Sequence, residues 1–515
     1  MPARPGPTDA PPSAERAPPA AERDGSSGPL GRGGKLSVVS RLEPPPDRRR
    51  QTLPPRLLPV LYLAFASLSL MLAFASVALA PRAVMGFYYH PRLAGVVHLV
   101  TLGWISSSIL GALYIVGPMA LRMVLPARPI DYFAWACTSV GIAGLVSHLW
   151  IAEFSGVAWS ALTVAAGFTL VAARVLTGLR TAALPRPVKL HVAFAFVNVL
   201  GAATIGVLLG LDKVHDVLPG LVVTNAFAHA HLAAIGWAGM MVVGVGYRLL
   251  PMVLPAAAPA GRSLYLSFVL LELGAAGLFV GLLMRSPLVP AFASAAVAGF
   301  LAFLAHAVWM ARRPRRAPPG LPRPDYGVYH VVAALGYLGA ACLLGLWLSV
   351  TPTSDVTLRV SLAYGVFGLV GFLAQIIVGM EVRILPVFAW YWAFANSGFE
   401  DPVPPPHQIL RRPRQRLVFS LWLVGVPMLA GGLFADVVPL GAAGAWLLLA
   451  AAVLHTANVA VVVRQAYRRP AGTTGTAAER PWMHGRRNGR IAVGPSVGRV
   501  SGNRQREGCE TRPPK

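Results

Sequence analysis

Four histidines lie in stretches that are otherwise apolar: His98, His148, His229 and His231. An imidazole in such surroundings is costly to bury without a partner. Neutral imidazole is also the commonest metal ligand, and it suits iron and copper. A single alanine separates His229 from His231. Residues two apart on a helix point about 200° away from each other. The two rings therefore cannot easily hold one ion together, and each serves a different groove. The plainer role for an intramembrane histidine is to hydrogen-bond a neighbouring helix. That role is the expected one for His191, His306, His330 and His455, which share no surrounding motif.

Few carboxylates accompany these rings. Glu272, in "VLLELGAAG", is either a proton relay or a protonated group bonded to a neighbouring helix. Glu381 and Arg383, in "VGMEVRILP", are expected to pair with each other. Glu153 follows His148 closely enough to orient that imidazole from behind, or simply to be solvated. The three cysteines, Cys137, Cys342 and Cys509, form no CxxC or CxxCH. Covalent c-type haem attachment and zinc-finger spacing are thereby excluded. Gly-rich phosphate loops and Ser-His-Asp arrangements are absent, which leaves ATP-driven and hydrolase chemistry without support.

These side chains must be positioned by membrane helices. Of the 515 residues 55% are hydrophobic and 13% charged, and the mean hydropathy is +0.59. The expected fold class is an all-α polytopic membrane protein. Twelve spans are expected at roughly 57–80, 94–119, 131–152, 157–178, 188–211, 222–252, 263–284, 288–311, 327–350, 360–390, 416–436 and 440–465. Residues 1–54 read as a Pro- and Gly-rich disordered tail, 55–466 as the membrane domain and 467–515 as a basic disordered tail. The first tail has no apolar run, so no cleavable signal is expected. Arginine is concentrated in "PPDRRR", "LRMVLPARP", "LRTAALPRPVK", "ARRPRRAPPGLPRP" and "LRRPRQR". These segments alternate across the membrane, which predicts cytosolic termini. The net charge of +25 is thus a matter of topology and contact with anionic lipid, and nucleic acid is not an expected partner.

A repeat organises the spans. Span 2 has His98-Leu99-xxx-Gly103-Trp104, then Gly111, Tyr114, Pro118 and Met119. Span 6 has His231-Leu232-xxx-Gly236-Trp237, then Gly244, Tyr247, Pro251 and Met252, each 133 residues later. Span 10 keeps Gly371, Gly379 and Pro386, a further 135 residues on, with Val366 at the histidine position. The expected architecture is three pseudo-repeated four-helix units, at about 57–180, 188–312 and 327–466. The glycines serve either close helix packing or space for a flat macrocycle. All four histidines named at the outset fall at similar depth, in the half of the bilayer away from the arginine-rich loops.

The stretch "HAHLAAIGWAGMMVVGVGYRLLP", together with its copy around His98, resembles the haem-ligating helix of heme-copper oxidase subunit I, most closely the C-family (cbb-type) members. NnrS-like haem- and copper-containing membrane proteins are a second resemblance. The first implies that His229 and His231 face two different cofactor sites and that His98 completes one of them. It implies haem b held by His98 with His229 or His231. It leaves a copper ion or second haem for the remaining histidine with His148. No adjacent His-His pair occurs, and the HxH helix is the sixth span rather than the tenth, so a complete oxidase copper centre is not implied. The expected function is a haem-binding redox protein of the bacterial cytoplasmic membrane, for electron transfer or NO or O2 handling. Its partners would be the bilayer, a quinol or electron-donor protein, and respiratory-complex subunits. The competing expectations are a twelve-span small-molecule or ion transporter and a non-catalytic partner of a respiratory complex. The few charges near the midplane weigh against the transporter.

Overall fold

A computed structural model describes residues 53–85, 89–316, 325–394 and 406–467. The two tails lie almost wholly outside the described residues. The chain is an all-α polytopic membrane protein, with twelve helices long and apolar enough to cross a membrane. They are α1 (Leu57–Leu79), α2 (Pro91–Met119), α3 (Pro129–Ile151), α4 (Phe154–Thr181), α5 (Arg186–His215) and α6 (Val222–Val253). The second half comprises α7 (Ser263–Leu283), α8 (Val289–Ala311), α9 (Tyr326–Val350), α10 (Asp355–Ala393), α11 (Arg412–Ala435) and α12 (Val438–Ala466). No strand occurs among the described residues.

The helix starts follow from local chemistry. Proline stands in the first turn of α2, α3, α5, α8, α11 and α12, where its missing N–H costs nothing. Left-handed residues Ala152, Asp216 and Asp436 end α3, α5 and α11 and turn the chain back into the next helix. Adjacent helices then pack as hairpins, α3 on α4, α7 on α8 and α11 on α12. The outer ring closes where α12 meets α1.

At the centre stand α2, α6 and α10. Each is interrupted by a π-helical segment, at Leu99–Ser106, Leu232–Gly239 and Val366–Ala374. The three segments touch one another. Their contacts run head to tail. The indole of Trp104 donates to the Ala374 carbonyl at 3.4 Å, and that of Trp237 donates to Ser106 Oγ at 2.9 Å. Ser106 and Ala374 each lie two residues beyond the aromatic residue of their own unit, Trp104 and Phe372. Phe372 has no N–H to continue the cycle and packs edge-on against Phe300 of α8.

The repeat glycines are the seats of the preceding helix. Gly111, Gly244 and Gly379 receive Tyr62, His191 and His330. Gly103, Gly236 and Gly371 receive Ser69, Asn198 and Tyr337. Within α1, α5 and α9 the two seated residues are seven apart, so each unit uses the same two-turn contact. A Cβ at Gly103 would stand 2.5 Å from the Ser69 Cβ, and one at Gly236 would stand 2.9 Å from the Asn198 Cβ. Of the two uses expected for these glycines, helix packing is the one realised.

Candidate functional site

His98 and His231 are the last α-helical residues before the first two π segments. The transition fixes the direction in which each ring leaves its helix. In α2, His98 Nδ1 donates to the Ala94 carbonyl at 2.7 Å. In α6, His231 Nδ1 donates to the Phe227 carbonyl at 2.8 Å, one turn back in both cases. His229 reaches across to α5, where its Nδ1 donates to the Ala202 carbonyl at 2.9 Å. A carbonyl can only accept, so each of these rings carries its proton on Nδ1 and keeps a lone pair on Nε2.

The two α6 histidines face different helices. His229 faces α2, with its ring centre 6.3 Å from that of His98 and the planes inclined by 29°. His231 faces α10, where the Tyr364 hydroxyl donates to its Nε2 at 3.3 Å and the rings stand 6.0 Å apart. The alignment of span 10 on glycines and proline pointed to Val366. The residue that meets His231 is Tyr364, which lies 135 residues after His229, the same offset that relates Gly371 to Gly236. The interface of α2 with α6 and that of α6 with α10 are therefore built alike, with tyrosine replacing the second histidine.

The spacing of the first pair has a chemical meaning. An imidazole nitrogen binds a first-row metal at ~2.0–2.1 Å, and its ring centre lies roughly 1.2 Å behind, so two rings facing one ion stand about 6.4 Å apart. The His98–His229 centre separation of 6.3 Å is close to that length, with the two rings stacked. All three rings are half-buried.

His148 stands apart. Its Nδ1 donates to the Gly144 carbonyl at 2.8 Å, with Ser160 Oγ at 3.3 Å, and its Nε2 lies 3.8 Å from Glu153. Glu153 also caps α4 through the Gly156 N–H at 2.7 Å. Among the described residues no three His, Cys, Asp or Glu side chains gather into a group that could hold a metal ion. The set of His148 with an α6 histidine is not brought together as a three-imidazole site.

Toward the arginine-rich face, His191, His306 and His455 fall into two kinds. His191, His306, Tyr247, Ser263 and Ser267 form a hydrogen-bonded cluster joining α5, α6, α7 and α8. Its counterpart in the first unit is Tyr114 with Asp131 and Arg174. His455 is different, because it meets a carboxylate, Glu381, at 2.8 Å. The expected Glu381–Arg383 pair does not form. Residues two apart on a helix diverge, and Arg383 turns to Asp325 while Glu381 turns to α12. Glu272 accepts from Asn198 Nδ2 at 2.8 Å, and Asn198 also donates to the Gly236 carbonyl at 3.2 Å.

Tyr364 and the Glu381–His455 pair were not singled out from sequence. Tyr364 was legible in the 135-residue offset from His229. His455 had no signal, since its partner lies 74 residues away on another helix. No protein-family model matches the chain, and no curated protein matches it.

Proposed function

We propose that this protein is a haem-binding redox protein of the membrane, in which His98 and His229 would hold the iron of a haem b. The observation that carries the reading is the ring pair itself, 6.3 Å apart, with both Nδ1 atoms committed to backbone carbonyls. A bis-imidazole haem iron supplies one-electron transfer. The Ala94 and Ala202 carbonyls fix the tautomer and orientation of the two rings and raise their basicity toward a metal. The donor set fits haem held without covalent attachment, since the chain has no CxxCH. A copper ion is less well served, because no three-ligand group forms among the described residues. His231, with its lone pair met by Tyr364, faces a separate groove. The role is electron transfer, or NO or O2 handling, without a complete oxidase copper site. A quinol or an electron-donor protein would reduce it. The arginine-rich loops favour the bacterial cytoplasmic membrane with both termini in the cytosol.

The test is the dithionite-reduced spectrum of the full-length protein purified in detergent, with a pyridine haemochrome assay. A Soret band with b-type features is expected. It should be lost in His98→Ala and His229→Ala and kept in His148→Ala and His231→Ala. Protein without a Soret band overturns the redox reading. Unchanged haem in both His98→Ala and His229→Ala refutes the ligand assignment.

A further inference from the structure

Between α2, α6 and α10, toward the arginine-rich loops, lies a cavity of about 100 Å³. Its walls are almost wholly apolar, with Ile109, Met241, Leu249 and Ile377 among them. Two polar side chains also border it, Ser108 and Glu381. Ser108 Oγ and Glu381 Oε1 are buried and have no hydrogen-bond partner within the protein. The other carboxylate oxygen, Oε2, lies 2.8 Å from His455 Nε2. The Glu381 and His455 side chains are 8% and 3% exposed.

We propose that Glu381 is a proton-binding carboxyl that exchanges with water held in this cavity, and that His455 is its positioning donor. Buried polar atoms without protein partners are ordinarily met by water, and each water needs at least about 10–15 Å³ of such space. The cavity has the volume for water, and Ser108 Oγ and Glu381 Oε1 are the polar atoms that would hold it. His455 donates from Nε2 to Oε2, which orients the carboxyl so that Oε1 meets the cavity. A proton carried on cavity water as hydronium passes to Oε1: its O–H bond to that water breaks, one to Oε1 forms, neutral water is left, and the site goes from one negative charge to neutral. Release breaks that bond and returns the proton to water.

Other titratable groups surround the pair. On α9, His330 packs among Phe419 and Trp422 and lies 3.4 Å from Gln375. On α10, Arg383 is paired with Asp325. On α6, Arg248 donates to the Ala120 carbonyl, and Tyr247 belongs to the histidine–serine cluster. On α2, Trp104 stands edge-on to His455 and Tyr114 donates to Asp131. At the head of α1, Arg56 donates to the Trp392 carbonyl, and nearly two turns further on stands Tyr62. On α11, Arg414 and Arg416 are exposed.

This proposal is independent of haem. It is tested by infrared spectroscopy of the full-length protein in lipid, in H2O and in D2O, at pH about 5, near the ordinary carboxyl range, and at about 9. A protonated-carboxyl band is expected in at least one condition, and it should shift in D2O. It should vanish in Glu381→Gln, remain in Glu272→Gln and change frequency in His455→Leu. Absence of any such band at both pH values overturns the proposal. So does a band that persists in Glu381→Gln, or one in the parent protein that fails to shift in D2O. The D2O measurement on the parent needs no variant to fold.

Discussion

Asp131→Ala is expected to be among the most damaging single substitutions in the first unit. The Asp131 side chain is 0% exposed and that of Arg174 is 17% exposed. Oδ1 accepts from the Tyr114 hydroxyl and from Arg174 Nε, both at 2.9 Å. Oδ2 accepts from the Arg128 N–H at 2.7 Å and from Arg174 Nη2 at 3.4 Å. One carboxylate thus joins α2, α3 and α4. Removing a single partner from a buried ion pair costs about 3–5 kcal/mol, because the other charge stays behind. Arg174 keeps a bond to the Pro126 carbonyl at 2.8 Å and some solvent access, which moves the expectation to the lower half of that range. A loss of about 3–4 kcal/mol corresponds to a hundredfold or greater fall in the folding equilibrium constant. The assay is unfolding of the purified protein in a fixed detergent, followed by intrinsic fluorescence, for Asp131→Ala, Arg174→Ala and the double variant. The singles should sum to clearly more than the double, with a coupling of at least ~1.5 kcal/mol. A loss under ~1 kcal/mol for Asp131→Ala, or additive singles, refutes the reasoning.

Gly103→Ala places a Cβ 2.5 Å from the Ser69 Cβ, well inside an ordinary carbon contact. A cost of about 1–3 kcal/mol is expected in the same unfolding assay, partly recovered by Ser69→Gly. Trp237→Phe removes the 2.9 Å bond to Ser106 and should cost about 1 kcal/mol from that bond alone. Trp104→Phe, whose bond is 3.4 Å long, should lose less on that account, and melting temperatures of the two variants check the order. Asn198→Leu leaves Glu272 and the Gly236 carbonyl without their donor, for about 1–3 kcal/mol. Its effect should shrink when Glu272→Leu is added, and strict additivity would count against the contact.

Much of this protein was legible in its sequence, for a physical reason. Long apolar runs have one stable form in a bilayer, so hydropathy fixed twelve helices. Arginine-rich loops fixed which helices run in the same direction relative to them. Identical residues 133 apart fixed the correspondence of α2 with α6 before any coordinate was known. The 200° divergence of i and i+2 on a helix required His229 and His231 to face different neighbours, and they do.

What the sequence left open were choices between faces and partners. Either α6 histidine could have met His98; the entry into the π segment and the reach of His229 to the Ala202 carbonyl selected His229. His148 is expected at the depth of the others yet stays with Ser160 and Glu153, because depth says nothing of azimuth. Glu381 lies beside Arg383 in the chain but meets His455 in space. Helical period and hydropathy set where a side chain lies along the membrane normal and, locally, on which side of its own helix. The rotation of twelve helices against one another is set by packing. Here that means the glycine seats of α2, α6 and α10 and the indole bonds between their π segments. Those contacts join residues far apart in sequence, so only the tertiary structure could decide which histidine meets which.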